Sequence, residues 1–103
     1  MPKIICKNVV FYSVNDEVSF FEWVSRINGI KKWEGVVDEV RLHFPKKNVS
    51  DQCLRDLTAL LYRYNIEMSQ LQQFITDKNR DWYSAPKMYW HKKVFNQIKI
   101  QNI

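Results

Sequence analysis

The chain has 103 residues, 46% of them hydrophobic and 15% aromatic, and its 16 Lys and Arg against 11 Asp and Glu give a formal net charge of +5. A chain of this length organises one core, and its aromatic content excludes an intrinsically disordered protein. Two glycines and three prolines exclude collagen-like and linker-rich architectures.

Residues 4–12 are rich in β-branched and aromatic types and predict a strand. Apolar residues fall on both alternation classes, which predicts a bulge near Lys7-Asn8 or cover on both faces. Ser13 or Asn15 then caps a helix with Asp16 and Glu17 in its first turn. Phe20, Trp23, Val24 and Ile27 follow helical spacing, and Phe21 widens the stripe. Asn28-Gly29 ends this helix, with Gly29 expected in the left-handed position beyond the C-cap.

Residues 30–33 and 36–44 predict two strands joined at a tight turn, Glu34-Gly35. In the second run Val36, Val40, Leu42 and Phe44 share one parity, and Glu39, Arg41 and His43 the other, as in a half-buried strand. Pro45 to Asn48 reads as a loop. Ser50 caps a second helix reaching about Tyr64, with Leu54, Leu57, Leu61 and Tyr64 inward and Arg55, Asp56, Thr58 and Arg63 outward; Asn65 breaks it. Residues 67–78 predict a third helix, with Met68, Leu71, Phe74 and Ile75 apolar and Gln70, Gln72 and Gln73 wet. Residues 79–85 read as irregular, and Pro86 opens a last helix over 86–96. The tail 97–103 alternates polar and apolar, as a strand or a frayed end would. The pattern predicts one α+β domain spanning 1–103, a small sheet of two to four strands packed against three to four helices.

No secretory leader and no apolar run of membrane-spanning length is visible. The expectation is a soluble, cytoplasmic protein. Cys6 and Cys53 have no zinc-ligand spacing and read as small buried hydrophobes in a reducing compartment, although a disulfide between them is formally open.

Nucleotide-binding and hydrolase motifs built on glycine are absent. His43 and His91 are the only histidines. With Lys92 they could supply acid–base cleavage of RNA, but they fall on different predicted elements. The expectation is therefore no catalytic residue, no cofactor and no metal.

Charge is more informative. Residues 1–75 hold ten basic and nine acidic residues, whereas residues 76–103 hold six and two. That last quarter also carries Trp82, Tyr83, Tyr89 and Trp90 within nine positions. The plain reading is aromatics capping the core under a solvated lysine face. Two functional readings use Arg80, Trp82, Tyr83, Lys87, Tyr89, Lys92 and Lys93: an interface for an acidic protein partner, or a stacking platform for single-stranded nucleic acid. A helix-turn-helix reading of the second and third helices fails on charge, because the glutamine-rich third helix offers little to phosphates.

The run Asp16-Glu17-Val18-Ser19-Phe20-Phe21-Glu22-Trp23 resembles segments of small bacterial immunity proteins of contact-dependent growth inhibition and other polymorphic toxin systems. So do Tyr62-Arg63-Tyr64-Asn65-Ile66-Glu67-Met68-Ser69-Gln70-Leu71 and the stretch 82–95. The resemblance implies a cytoplasmic, non-enzymatic protein that binds one cognate toxin domain and blocks it. Members that block basic nucleases tend to be acidic, whereas this chain is basic. The resemblance therefore implies an acidic surface on the toxin, or contact through a local acidic patch such as Asp16, Glu17 and Glu22. No functional residue carries over from it. The interface expectation rests on the aromatic-basic segment, and a nucleic-acid-binding protein using that segment is the alternative.

Overall fold

A computed structural model describes residues 2–95. Three antiparallel strands, β1 (Lys3–Lys7), β2 (Lys32–Val36) and β3 (Glu39–His43), form a sheet of order β1-β3-β2. The helices are α1 (Val14–Arg26), α2 (Asp51–Arg63), a 3-10 helix (Met68–Phe74) and two short ones, α3 (Arg80–Tyr83) and α4 (His91–Phe95), with α2 and α4 packed on the 3-10 helix. This is the predicted α+β class.

β1 stops earlier than the sequence pattern suggested. Asn8 adopts φ 55°, a left-handed conformation that asparagine tolerates, and the chain leaves the sheet there. Val9 and Phe11 then pack on the core, with the Phe11 ring 5.4 Å from Phe20. Apolar residues on both parities therefore reflect a strand that ends and a covering segment that follows.

Ser13 caps α1, its Oγ accepting the Asp16 N–H at 3.2 Å, and the Asp16 carboxylate returns to the Tyr12 N–H at 3.0 Å. Gly29 does not take the left-handed conformation, since no glycine in the described chain has positive φ. Its smallness serves another purpose: a Cβ there would stand 2.5 Å from Cys53 Sγ, so glycine lets the end of α1 approach α2.

The hairpin turn lies at Val37-Asp38 rather than Glu34-Gly35, because Val36 pairs with Glu39 and Trp33 with Leu42. That register keeps Val40, Leu42 and Phe44 facing the helices. It also moves Val36 to the opposite face, beside Glu39. The turn forces Val37 to φ 50° while leaving its side chain fully exposed. A β-branched residue there costs roughly 1–2 kcal/mol of strain with no packing in return. Val37→Asn should therefore stabilise the chain by about 1 kcal/mol and raise Tm by roughly 4–8 °C in a thermal melt.

Ser50 caps α2 through the Cys53 N–H at 3.0 Å. The helix ends in a Schellman arrangement: Asn65 has φ 58°, its N–H reaches Tyr62 O, and the Ile66 N–H reaches Leu61 O. Ile66 and Leu61 are both buried, completing the apolar contact that accompanies this motif.

The third helix is 3-10 rather than α. Side chains three residues apart eclipse one another in that geometry. Met68, Leu71 and Phe74 thus form one buried row. Gln70 and Gln73 form another, and they are not wet as expected. Gln70 accepts the Ile5 N–H at 2.7 Å and donates to Ile5 O at 3.0 Å; Gln73 donates to Lys3 O at 3.1 Å. Three residues of 3-10 helix rise about 6 Å and two residues of strand about 6.6 Å, so the two rows match. Gln72 donates to Val94 O at 2.8 Å, tying α4 to this helix.

Residues 79–85 contain a full turn, α3. The predicted helix over 86–96 is only α4 within the described residues, since 86–90 form turns. The chain bends there because Trp90 folds back, stacking on Tyr83 at 5.0 Å and donating its Nε1–H to Tyr83 O at 2.8 Å. The tail 97–103 lies outside the described residues. Cys6 and Cys53 are both buried and free. No helix among the described residues is long and apolar enough to cross a membrane.

Candidate functional site

The seven residues singled out by the sequence separate into three groups. Tyr83 is fully buried, its hydroxyl 2.8 Å from Thr58 Oγ1. It is a core residue and is corrected out of the interface. Thr58 is likewise buried rather than outward, its hydroxyl also donating to Leu54 O at 2.7 Å. Burial pushes the Tyr83 phenol well above its ordinary range, so the ring stays neutral.

Arg80, Lys87 and Lys92 are exposed. Arg80 pairs with Asp77 at 2.6 Å and so spends its charge at the start of α3.

Trp82, Tyr89 and Lys93 are brought together, and two α2 residues join them. The Arg55 guanidinium lies 4.2 Å from the centroid of the Trp82 ring. Tyr62 and Tyr89 meet edge to face at 4.9 Å, and the Lys93 ammonium stands 5.0 Å from the Tyr62 ring. Tyr89 also meets Trp90 edge to face at 4.9 Å, which anchors it to the core. Tyr62 and Tyr89 remain 42% and 53% exposed. Each cation–ring contact contributes about 0.5–1 kcal/mol at such sites. Together the contacts hold five long side chains in place before any partner arrives.

The sequence reading missed Arg55 and Tyr62 as members of this face. Arg55, Ala59 and Tyr62 recur at i, i+4 and i+7 on α2, which puts them on one stripe.

The histidines have separate surroundings. His43 Nε2 bonds Glu34 Oε1 at 2.9 Å across the hairpin, on the face of β3 opposite Leu42. His91 packs against Phe95 at 5.1 Å on α4. Among the described residues no three His, Cys, Asp or Glu side chains converge as metal ligands would. A cleft of about 490 Å³ lies elsewhere, lined by Asn8, Tyr12, Asp16, Arg63 and Tyr64 among others. Its Asp16 carboxylate is already engaged by the Tyr12 N–H.

Comparison with protein-family models, curated proteins and solved structures gives no match. The reading of this face rests on its chemistry.

Proposed function

We propose that the chain is a non-enzymatic binding protein, an immunity protein that blocks a cognate bacterial toxin domain through the face built from Arg55, Tyr62, Trp82, Tyr89 and Lys93. The observation that carries the binding role is the preassembled cation–aromatic array on an otherwise charged surface. Trp, Tyr and Arg dominate interface hot spots. Side chains already held in place lose less entropy on binding. The cations on this face suit an acidic surface on the toxin, and Lys87 and Lys92 would add a charged rim that speeds encounter. Neutralisation would follow by covering the toxin's cleft. The toxin as partner is supported by the sequence resemblance over residues 16–23, 62–71 and 82–95.

Single-stranded nucleic acid is the second reading, since exposed tyrosines beside cations could stack bases. It ranks below because Arg55 and Lys93 already occupy ring faces that bases would need.

One titration separates the two. The purified chain is titrated by calorimetry with the protein product of the adjacent reading frame, and separately with a single-stranded oligonucleotide, at 50 and 200 mM salt. Protein binding should largely survive the salt change, whereas nucleic-acid binding would fall by orders of magnitude. Arg55→Glu and Tyr89→Ala should each weaken toxin binding at least thirtyfold, about 2 kcal/mol, with the circular dichroism unchanged. Unaltered affinity in both variants would remove this face from the interaction.

A further inference from the structure

The two edges of the sheet are finished differently. Phe44 N–H donates to Pro2 O, and Asn8 N–H donates to Asp38 O. The even positions of β1 therefore face β3, and the odd positions face outward. Those outward groups, at Lys3 and Ile5, are the ones that Gln70 and Gln73 bond. On the other side, Val36 pairs with Glu39 and Glu34 with Arg41. The same alternation turns the backbone N–H and C=O of Trp33 and Gly35 away from β3. No strand among the described residues pairs with that edge.

A groove runs beside it. Trp33 shares the inner face with Leu42, and its indole reaches Phe21 of α1 at a ring separation of 4.6 Å while staying 44% exposed. Val18 continues this apolar strip, and Glu17 and Glu22 flank it in a concavity of about 470 Å³. No Lys or Arg lines the concavity, and neither glutamate makes an ion pair among the described residues. On a chain of net charge +5 this is a local reversal of sign.

We propose that the β2 edge and this groove take an extended, lysine- or arginine-bearing peptide segment of a partner protein as a fourth strand. Trp33 and Gly35 would supply the main-chain hydrogen bonds, as in other strand additions. Residues two apart in the added strand share a face, so an apolar residue meets the Trp33 indole while its basic neighbours on that face meet Glu17 and Glu22. A second copy of this chain is a poorer occupant, because it would bring two glutamate pairs to one seam without a cation between them. This site uses β2 and α1 and does not rest on the aromatic-basic face.

The test is a titration of full-length, nitrogen-15-labelled protein with two end-blocked peptides, Thr-Lys-Thr-Val-Thr-Lys-Thr and its counterpart with Glu for Lys. With the lysine peptide, the amide signals of Trp33 and Gly35 should shift and their solvent exchange should slow. The glutamate peptide should bind at least tenfold more weakly. Glu17→Lys combined with Glu22→Lys should weaken the lysine peptide at least tenfold. Gly35→Pro removes an outward N–H without breaking a ladder bond and should abolish the shifts; unchanged β3 signals would confirm that its sheet persists. Equal affinity for both peptides would overturn the proposal. So would shifts confined to the Tyr62 and Tyr89 side, or a dimer seam at β2 that peptide does not disturb.

Discussion

Tyr83→Ala should destabilise the chain by about 3–5 kcal/mol, a large part of the 5–15 kcal/mol that holds a typical domain folded. Three losses add together. The fully buried ring leaves a cavity. The stack on Trp90 at 5.0 Å disappears. The hydrogen bond to Thr58 is broken, leaving that hydroxyl only its bond to Leu54 O. Tyr83→Phe separates these contributions: it keeps ring and stack, and should cost only about 1 kcal/mol. Urea denaturation of both variants checks the pair. A similar cost for both would mean that the hydroxyl, rather than the ring, carries the site. Weak partner binding by Tyr83→Ala would accordingly report unfolding, whereas Tyr89→Ala should alter binding without altering stability to a comparable degree.

Alkaline pH should weaken the fold through Cys6. Burial pushes its thiol from the ordinary 9.0 up to about 12. The unfolded chain therefore releases this proton near pH 9 while the folded chain retains it. The contribution to stability is complete below pH 9 and is lost as pH rises toward 12. At about 1.4 kcal/mol for each pH unit, the loss approaches ~4 kcal/mol. Cys6→Ala should lower stability slightly at pH 7 through its small cavity and flatten the decline between pH 9 and 11. Denaturation midpoints across that range measure it, and parallel curves for the two proteins would refute the assignment. The raised phenol of Tyr83 acts in the same direction at higher pH.

Much of the fold was legible because helix signals are local. The caps Ser13 and Ser50 and the breaker Asn65 stand where their side chains or backbone preferences act within three or four residues. The hairpin was misread because its turn is set by burial. Glu34-Gly35 has the better turn chemistry, yet closing there would abandon the pairing of Trp33 with the core-facing Leu42. The chain accepts a strained Val37 instead. Residues 68–74 carried a period of three in both their apolar and glutamine positions. That period was legible, but helical sequences are usually read against 3.6. The aromatic-basic face was half legible: its C-terminal members cluster in sequence, whereas Arg55 and Tyr62 join only because α2 passes beneath them. Tyr83 was misplaced because a tyrosine's hydroxyl gives no sign of whether water or a buried threonine will satisfy it.

The glutamine seal on β1 has a consequence for how the molecule opens. β2 and β3 are neighbours in sequence and can pair early, as local contacts do. β1 is bonded on one side to β3 and on the other to a helix 65 residues away. Withdrawal of the 3-10 helix strips β1 of its outer partners, and departure of β1 leaves three glutamine–backbone bonds without acceptors or donors. The N-terminal strand and residues 68–74 therefore form one cooperative unit. The β2 edge, which has no such tie, can engage or release a binding strand while the rest of the sheet stays shut.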